Sequence, residues 1–221
     1  MWETLILPWQ ACLDLVWESY CDDCYPIGAI ITGPEGEILS RGRNHVYPQK
    51  LWTGPMPGVD LAHAEMEALN RLDYVGIDPH ACTLYTSLEP CLMCMSAFYM
   101  SGLRTLYYAA RDSYAGSVEI LGKTWYLGRK QIQVHGPSLE LETIVLGVVL
   151  EQEFRKYDGG HPYPGFFERY RQEVPQGVEF GRKLYELNLL EQLRRSGASA
   201  EEVFERLSEL VPSETSRVNK I

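Results

Sequence analysis

The chain is most constrained by a histidine and two cysteines whose types and spacing suit a metal site. His63 opens a His-Ala-Glu sequence, and twenty-four residues separate Glu65 from Pro90, which directly precedes Cys91 and Cys94. Pro90 falls at the predicted start of a helix, where proline is tolerated, and helical residues three apart share one face. A fold that uses these residues together must bring two helix starts to one place.

The three side chains predict a catalytic zinc site. Zinc takes nitrogen and sulfur ligands in tetrahedral geometry, and a catalytic site keeps one of its four positions for water. The positive end of the helix that begins near Cys91 favours the thiolate form that binds metal. We therefore expect His63, Cys91 and Cys94 to hold Zn²⁺, because a structural site would normally supply a fourth protein ligand.

Glu65 is the predicted catalytic residue. It follows His63 by two residues and is not needed as a ligand, whereas a carboxylate beside a zinc-activated water is placed to move protons. His-x-Glu followed by Pro-Cys-x-x-Cys is the signature of zinc deaminases. Each motif alone has a plainer interpretation, since a lone CxxC is often a redox or chance pair and a lone helical histidine usually packs. Their order and their places at helix starts favour the zinc interpretation.

The remaining pattern predicts a three-layer α/β/α fold with one mixed sheet and a C-terminal helical extension. Turn residues at 158–165 divide the chain into a deaminase domain, 1–157, and the extension, 158–221. A Gly-Pro-Glu-Gly turn joins the first two strands into a hairpin. The predicted helices are 5–20, 62–74, 91–100, 141–154, 180–195 and 200–210, and the predicted strands are 27–32, 37–43, 81–86, 103–109 and 131–134.

Composition narrows the class of partner and the compartment. The formal net charge is -10 and 45% of the residues are hydrophobic, so we expect a globular protein and disfavour a large polynucleotide partner. No apolar run reaches the ~20 residues that a membrane helix needs. Six cysteines without an export signal indicate reduced thiols in a cytoplasm. Cys21 and Cys24 form a second CxxC, which we interpret as incidental; the alternatives are a redox pair or half of another metal site.

On these motifs the sequence resembles the cytidine deaminase-like superfamily, closest to the branch of tRNA adenosine deaminases and bacterial guanine deaminases. The resemblance covers about residues 5–157. It implies a roughly five-stranded sheet, a metal held between two helices and a homodimer with its sites close to the interface. The segments that carry it are 26–31, 42–44, 62–65, 83–94 and 110–112.

The resemblance also implies substrate contacts. Asn44 matches an asparagine that contacts the base, and the main chain of Ala64 and Glu65 would line the pocket. Trp52, in an insertion over 46–61, is predicted to stack on a base or, equally, to pack against the domain. Asp112 would contact substrate or cap the turn that follows it, and the sequence does not separate these roles.

The sequence thus predicts a zinc-dependent hydrolase that converts an amino-substituted nucleobase or nucleoside, with purine-like rings favoured, to the oxo compound and ammonia. One alternative is a tRNA-specific adenosine deaminase. Another is a non-catalytic, zinc-stabilised binding module, which leaves Glu65 and the missing fourth ligand unexplained. The C-terminal helices, anchored by Phe166, Phe167 and Tyr170, would cover an apolar surface or extend a dimer interface; the alternative is a lid over the site.

Overall fold

The computed structural model describes residues 1–46 and 59–211, in which a five-stranded mixed sheet lies between helices. The predicted α/β/α fold is therefore confirmed. No helix in these two ranges is both long and apolar enough to cross a membrane. The strands are β1 Gly28–Thr32, β2 Ile38–Arg43, β3 Thr83–Leu88, β4 Thr105–Ala110 and β5 Gln133–His135, and the helices are α1 Leu7–Cys21, α2 Ala64–Arg71, α3 Leu92–Ser101, α4 Glu142–Lys156, α5 Phe166–Glu173, α6 Pro175–Glu186, α7 Leu189–Ser196 and α8 Ala200–Leu210.

The strand order β2-β1-β3-β4-β5 sets which chain segments meet at the edge of the sheet. β1 pairs antiparallel with β2 and with β3, and the predicted hairpin is confirmed. β3, β4 and β5 are parallel, and Leu88 at the end of β3 pairs with Ala110 at the end of β4. The segment that leads to Cys91 and the segment that begins at Arg111 therefore leave the sheet at the same edge.

Apolar side chains form a core on each face of the sheet. α2 and α3 cover one face through residues such as Ala68 and Met95, which are fully buried. α1 and α4 cover the other face, where Val16 and Val145 are fully buried. α6 packs against α4 so closely that a Cβ on Gly181 would lie 2.9 Å from the carbonyl oxygen of Gly147. The helices after residue 157 thus add a further layer that shares a core with α4.

The predicted helix over 180–195 is wrong in one respect, because two helices occupy this stretch. α6 ends at Glu186 and α7 begins at Leu189, and the intervening Asn188 has a left-handed φ of 50°. Asparagine tolerates that conformation better than most residues. The apolar positions keep a helical spacing across the break, so the periodicity concealed it.

Gly42→Ala is expected to destabilise the protein by about 2 kcal/mol, because overpacking at a rigid contact costs that much. A Cβ on Gly42 in β2 would lie 2.2 Å from the carbonyl oxygen of Ala64 and 2.4 Å from the amide of Ala68 in α2. Urea unfolding would measure the loss. Gly160→Ala is the matched control, since the nearest atom to its added Cβ is 3.5 Å away. Equal stability of the two variants would contradict this account of the β2–α2 contact.

Candidate active site

His63, Cys91 and Cys94 come together between α2 and α3. The Nδ1 atom of His63 lies 3.6 Å from the Sγ of Cys91 and 3.5 Å from the Sγ of Cys94. The three ligand atoms all lie within 4.8 Å of one another, and across the described ranges no other group of histidine, cysteine or acidic side chains meets that condition. The structure therefore assembles the predicted triangle.

The ends of two helices position the three ligands. His63 and Cys91 are the residues immediately before α2 and α3, both in extended conformation, and Cys94 lies in the first turn of α3. Neither helix start is capped by the side chain at that position. The first amides of a helix have no partner within it and carry partial positive charge. Both helices therefore direct positive ends toward the place where thiolates would be needed.

The protonation of the cluster suits metal binding at Cys91. The hydrogen bond from Cys94, aided by one with His63, lowers the pKa of Cys91 to about 4 against the opposing effect of burial. Burial alone would lower the pKa of His63, but its hydrogen bond to Cys91 and the charge of Glu65 raise it instead. The hydrogen bond to Cys91 and burial raise the pKa of Cys94. The thiolate of Cys91 is thus already favoured at neutral pH. A metal that binds here would displace the remaining protons from its ligands.

Glu65 lies against the ligand triangle in the first turn of α2. Its side chain is buried, one carboxyl oxygen accepts a hydrogen bond of 3.0 Å from the Thr86 hydroxyl, and the other lies 3.4 Å from the Sγ of Cys94. Burial raises the pKa of Glu65, opposed by the charge of His63. The carboxyl group is therefore held in one orientation beside the three ligand atoms.

The donor set fits zinc. One imidazole nitrogen and two sulfurs are the ligand types that Zn²⁺ takes in proteins, and three protein ligands are one fewer than a structural site has. Glu65 contacts a ligand sulfur and is bonded to Thr86, so it is placed as a neighbour of the triangle rather than a member.

Asn44 and Ala64 lie beside the start of α2. Asn44 is 1% exposed, and its side-chain oxygen accepts a hydrogen bond of 2.8 Å from the amide of Val46. The amide of His45 donates to the carbonyl of Ala62, which holds this segment against the residues before α2. Ala64 is the first residue of α2 and is fully buried. Both residues therefore lie next to the helix start that follows His63, and their contact with substrate stays a prediction.

Asp112 follows β4, and its side chain accepts hydrogen bonds from other parts of the protein. Its Oδ1 accepts hydrogen bonds from the amides of Tyr114 at 2.9 Å and Ala115 at 3.0 Å, and from the hydroxyl of Tyr170. The turn-capping role is therefore present, and the substrate role stays a prediction. Trp52 and most of the 46–61 insertion lie outside the described residues.

Three residues that sequence reasoning missed hold side chains and chain segments around the site. Thr86 holds Glu65, and Glu67 in α2 accepts a hydrogen bond of 2.8 Å from the amide of Arg43. Glu89 accepts hydrogen bonds from two amides of the segment that follows β4. Only Glu89 carried a signal, because it directly precedes the Pro-Cys-x-x-Cys motif. Thr86 and Glu67 act across distances of more than twenty residues in sequence, which no local pattern reports.

The second cysteine pair is separate from the triangle. Cys24 is buried, and burial raises its pKa to about 11, so its thiol stays protonated at neutral pH. Neither Cys21 nor Cys24 forms a disulfide bond, and neither belongs to a metal-binding group among the described residues. The interpretation of this pair as incidental stays a prediction.

Comparison with known proteins finds deaminases. Residues 7–110 match the family model described as the cytidine and deoxycytidylate deaminase zinc-binding region. A probable cytosine deaminase of Schizosaccharomyces pombe is 29% identical over 55% of this chain and 76% of its own length. A tRNA-specific adenosine deaminase of Aquifex aeolicus is 39% identical over 42% of this chain and 57% of its own. A guanine deaminase of Bacillus subtilis is 35% identical over 41% and 53% respectively.

The matched region contains His63, Glu65, Cys91 and Cys94 and spans slightly less than half of the chain. The family model and the relatives together indicate a hydrolytic deaminase. The predicted resemblance, which included tRNA adenosine deaminases and guanine deaminases, is confirmed. The relatives carry three different substrate names, so the family leaves the substrate open.

Proposed function

We propose that this protein hydrolytically deaminates an amino-substituted nucleobase or nucleoside, with purine-like rings favoured, and releases ammonia. The observation that carries the proposal is the position of Glu65. Its buried carboxyl group lies 3.4 Å from the sulfur of Cys94 and is fixed on its other side by Thr86. A binding module stabilised by zinc would have no use for a buried, oriented carboxyl group at that place.

His63, Cys91 and Cys94 would hold Zn²⁺, which when bound supplies an activated water by lowering its pKa toward ~7. Glu65 accepts the proton of the attacking water and delivers it to the ring nitrogen next to the amine-bearing carbon. Glu65 then takes the second proton of the added water from the new hydroxyl group and delivers it to the amine, so that the carbon–nitrogen bond breaks and ammonia leaves. The water oxygen becomes the oxo group of the product. Thr86 keeps the carboxyl plane fixed during both transfers.

Asn44 and the main chain of Ala64 are the proposed contacts to the base, with Asp112 as a third. An amide side chain offers a donor and an acceptor, which suits the edge of a purine. The Bacillus subtilis relative is named a guanine deaminase, which supports the purine preference. The proposal that Trp52 stacks on the base rests on the sequence alone.

A tRNA adenosine deaminase is the second candidate, favoured by one feature of the charge distribution. Although the net charge is -10, the twenty residues between Glu119 and Glu140 contain no acidic residue and three basic ones, Lys123, Arg129 and Lys130. Trp125 in the same segment is 80% exposed, and the guanidinium of Arg129 lies over its ring. Basic and aromatic side chains together can bind a polynucleotide.

Ammonia release across a panel of nucleobases, nucleosides and a tRNA transcript would test both candidates. We expect release from at least one small amino-substituted base or nucleoside and no inosine in the tRNA, because the overall negative charge opposes a polyanion. The Glu65→Gln protein, prepared in parallel, controls for contaminating deaminases. Inosine formation in tRNA alone would favour the second candidate, and no release from any compound would favour a non-catalytic module.

We further propose a homodimer in the cytoplasm. Leu92 and Met100 lie on one side of α3 and are 60% and 65% exposed, which suits contact with a second copy. None of the six cysteines forms a disulfide bond, which suits a reducing compartment. The division into a deaminase domain, 1–157, and an extension, 158–221, is retained as a proposal, and the molar mass in solution would test the dimer.

A further inference from the structure

The segment after β4 is attached to the backbone of a metal ligand. This segment, the Asp112 loop, comprises residues 112–118. Gly116 forms an isolated antiparallel bridge with Cys91, and the amide of Ser117 donates to the carbonyl of Pro90 at 3.0 Å. The carboxylate of Glu89 accepts from the amides of Asp112 at 3.3 Å and Val118 at 3.2 Å. A shift of the Asp112 loop would therefore move the backbone that presents Cys91.

Helix α5 holds the same loop from the opposite side. The hydroxyl of Tyr170 donates to Oδ1 of Asp112. The hydroxyl of Ser113 donates to the carboxylate of Glu173 at 2.9 Å, and the Nε of Arg169 donates to the carbonyl of Ser113 at 3.0 Å. Three residues of α5 thus bind the two consecutive residues Asp112 and Ser113 of the loop.

Tyr170 is the buried member of these contacts. It is 3% exposed, and its ring packs against Phe166, with 5.2 Å between ring centroids. A hydrogen bond from a hydroxyl to a charged acceptor is stronger than a hydrogen bond between neutral groups, so this bond fixes the position of the Asp112 carboxylate.

We propose that Tyr170 is a positioning residue of the active site, which holds Asp112 and, through the Asp112 loop, the Cys91 side of the metal triangle. The inference rests on the proposed zinc site and deaminase function. It assigns to the C-terminal extension a part in the reaction, because α5 lies beyond the region that the family model matches.

Tyr170→Phe removes the hydroxyl and keeps the ring. Because loss of an outer partner of a metal site costs about 10-fold or more, we expect zinc to transfer to a competing chelator about 10-fold faster and kcat to fall by a similar factor. KM should change by a smaller factor than kcat does, because Asn44 and the main chain of Ala64 keep their proposed contacts to the base. Tyr20→Phe is the matched control, because Tyr20 is equally buried and donates to a carboxylate, Glu151, at 2.9 Å in the α1–α4 contact.

A double-mutant cycle with Asp112→Asn tests whether Tyr170 acts through Asp112. The effect of Tyr170→Phe on zinc transfer should shrink to less than about twofold in the Asp112→Asn protein, because the two changes remove the same interaction. Ser113→Ala, which loses only the bond to Glu173, should accelerate zinc transfer in the same direction. If Tyr170→Phe and Tyr20→Phe release zinc at the wild-type rate, the proposal is overturned. Zinc transfer needs no turnover, so this result is independent of whether a substrate has been found.

Discussion

Glu65→Gln is expected to lower kcat by about 10³-fold or more while the protein keeps its zinc, because general acid–base catalysis by a placed side chain contributes up to about 10⁴-fold. Glutamine has the shape of glutamate, and its amide oxygen can accept the same hydrogen bond from Thr86. The variant therefore keeps the geometry and loses only the group that carries protons. Steady-state kinetics and metal analysis on the same sample would measure both quantities.

The stability of this variant should equal or exceed that of the wild type. Burial raises the pKa of Glu65, which means that the charged form is disfavoured at this position, and glutamine carries no charge. Glu67→Gln is the control on the same helix. Glu67 is also buried, but it accepts from the amide of Arg43 and pairs with Arg71, so we expect loss of stability with kcat within about tenfold of the wild type. Near-normal turnover by Glu65→Gln would remove its role as the proton carrier.

Cys91→Ala is expected to abolish zinc binding and to lower the thermal unfolding temperature. The variant leaves one imidazole and one sulfur, too few to hold the metal, and in such sites the free energy of binding contributes to folding. A chelator should lower the unfolding temperature of the wild type toward that of the variant and leave the variant unchanged. Differential scanning calorimetry with and without chelator would measure this.

Cys21→Ala supplies the control for cysteine loss. Cys21 is partly buried, as Cys91 is, and belongs to the pair that we interpret as incidental. This variant should retain about one zinc per chain, the same as the wild type, because a single three-ligand site accounts for the metal. Two zincs in the wild type and one in Cys21→Ala would show instead that the second pair binds metal.

The parts of the fold that sequence predicted are those with local causes. The hairpin follows from a Gly-Pro-Glu-Gly turn between β-branched runs, and the ligand triangle follows from two short motifs at helix starts. The parts that sequence missed depend on distant pairing. Thr86 finds Glu65 only because β3 lies beside the start of α2, and the break at Asn188 is hidden by an apolar spacing that continues through it.

For Asp112 the sequence predicted only part of what the structure shows. Sequence reasoning left a substrate contact and a turn cap as equal alternatives. The structure supplies the turn cap and adds the bond to Tyr170, which comes from a helix fifty-eight residues further along the chain. No local pattern connects these residues, since the contact exists only after α5 has packed beside the edge of the sheet.

The backbone-to-backbone meeting of α4 and α6 at Gly147 and Gly181 limits how this protein can vary. A methyl group on Gly147 would lie 2.4 Å from the ring of Phe180, and one on Gly181 would lie 2.9 Å from the carbonyl of Gly147. We expect related chains to keep glycine at these two positions. Any larger residue would separate α4 from α6, and the contact between these helices attaches α5 to α8 to the rest of the protein.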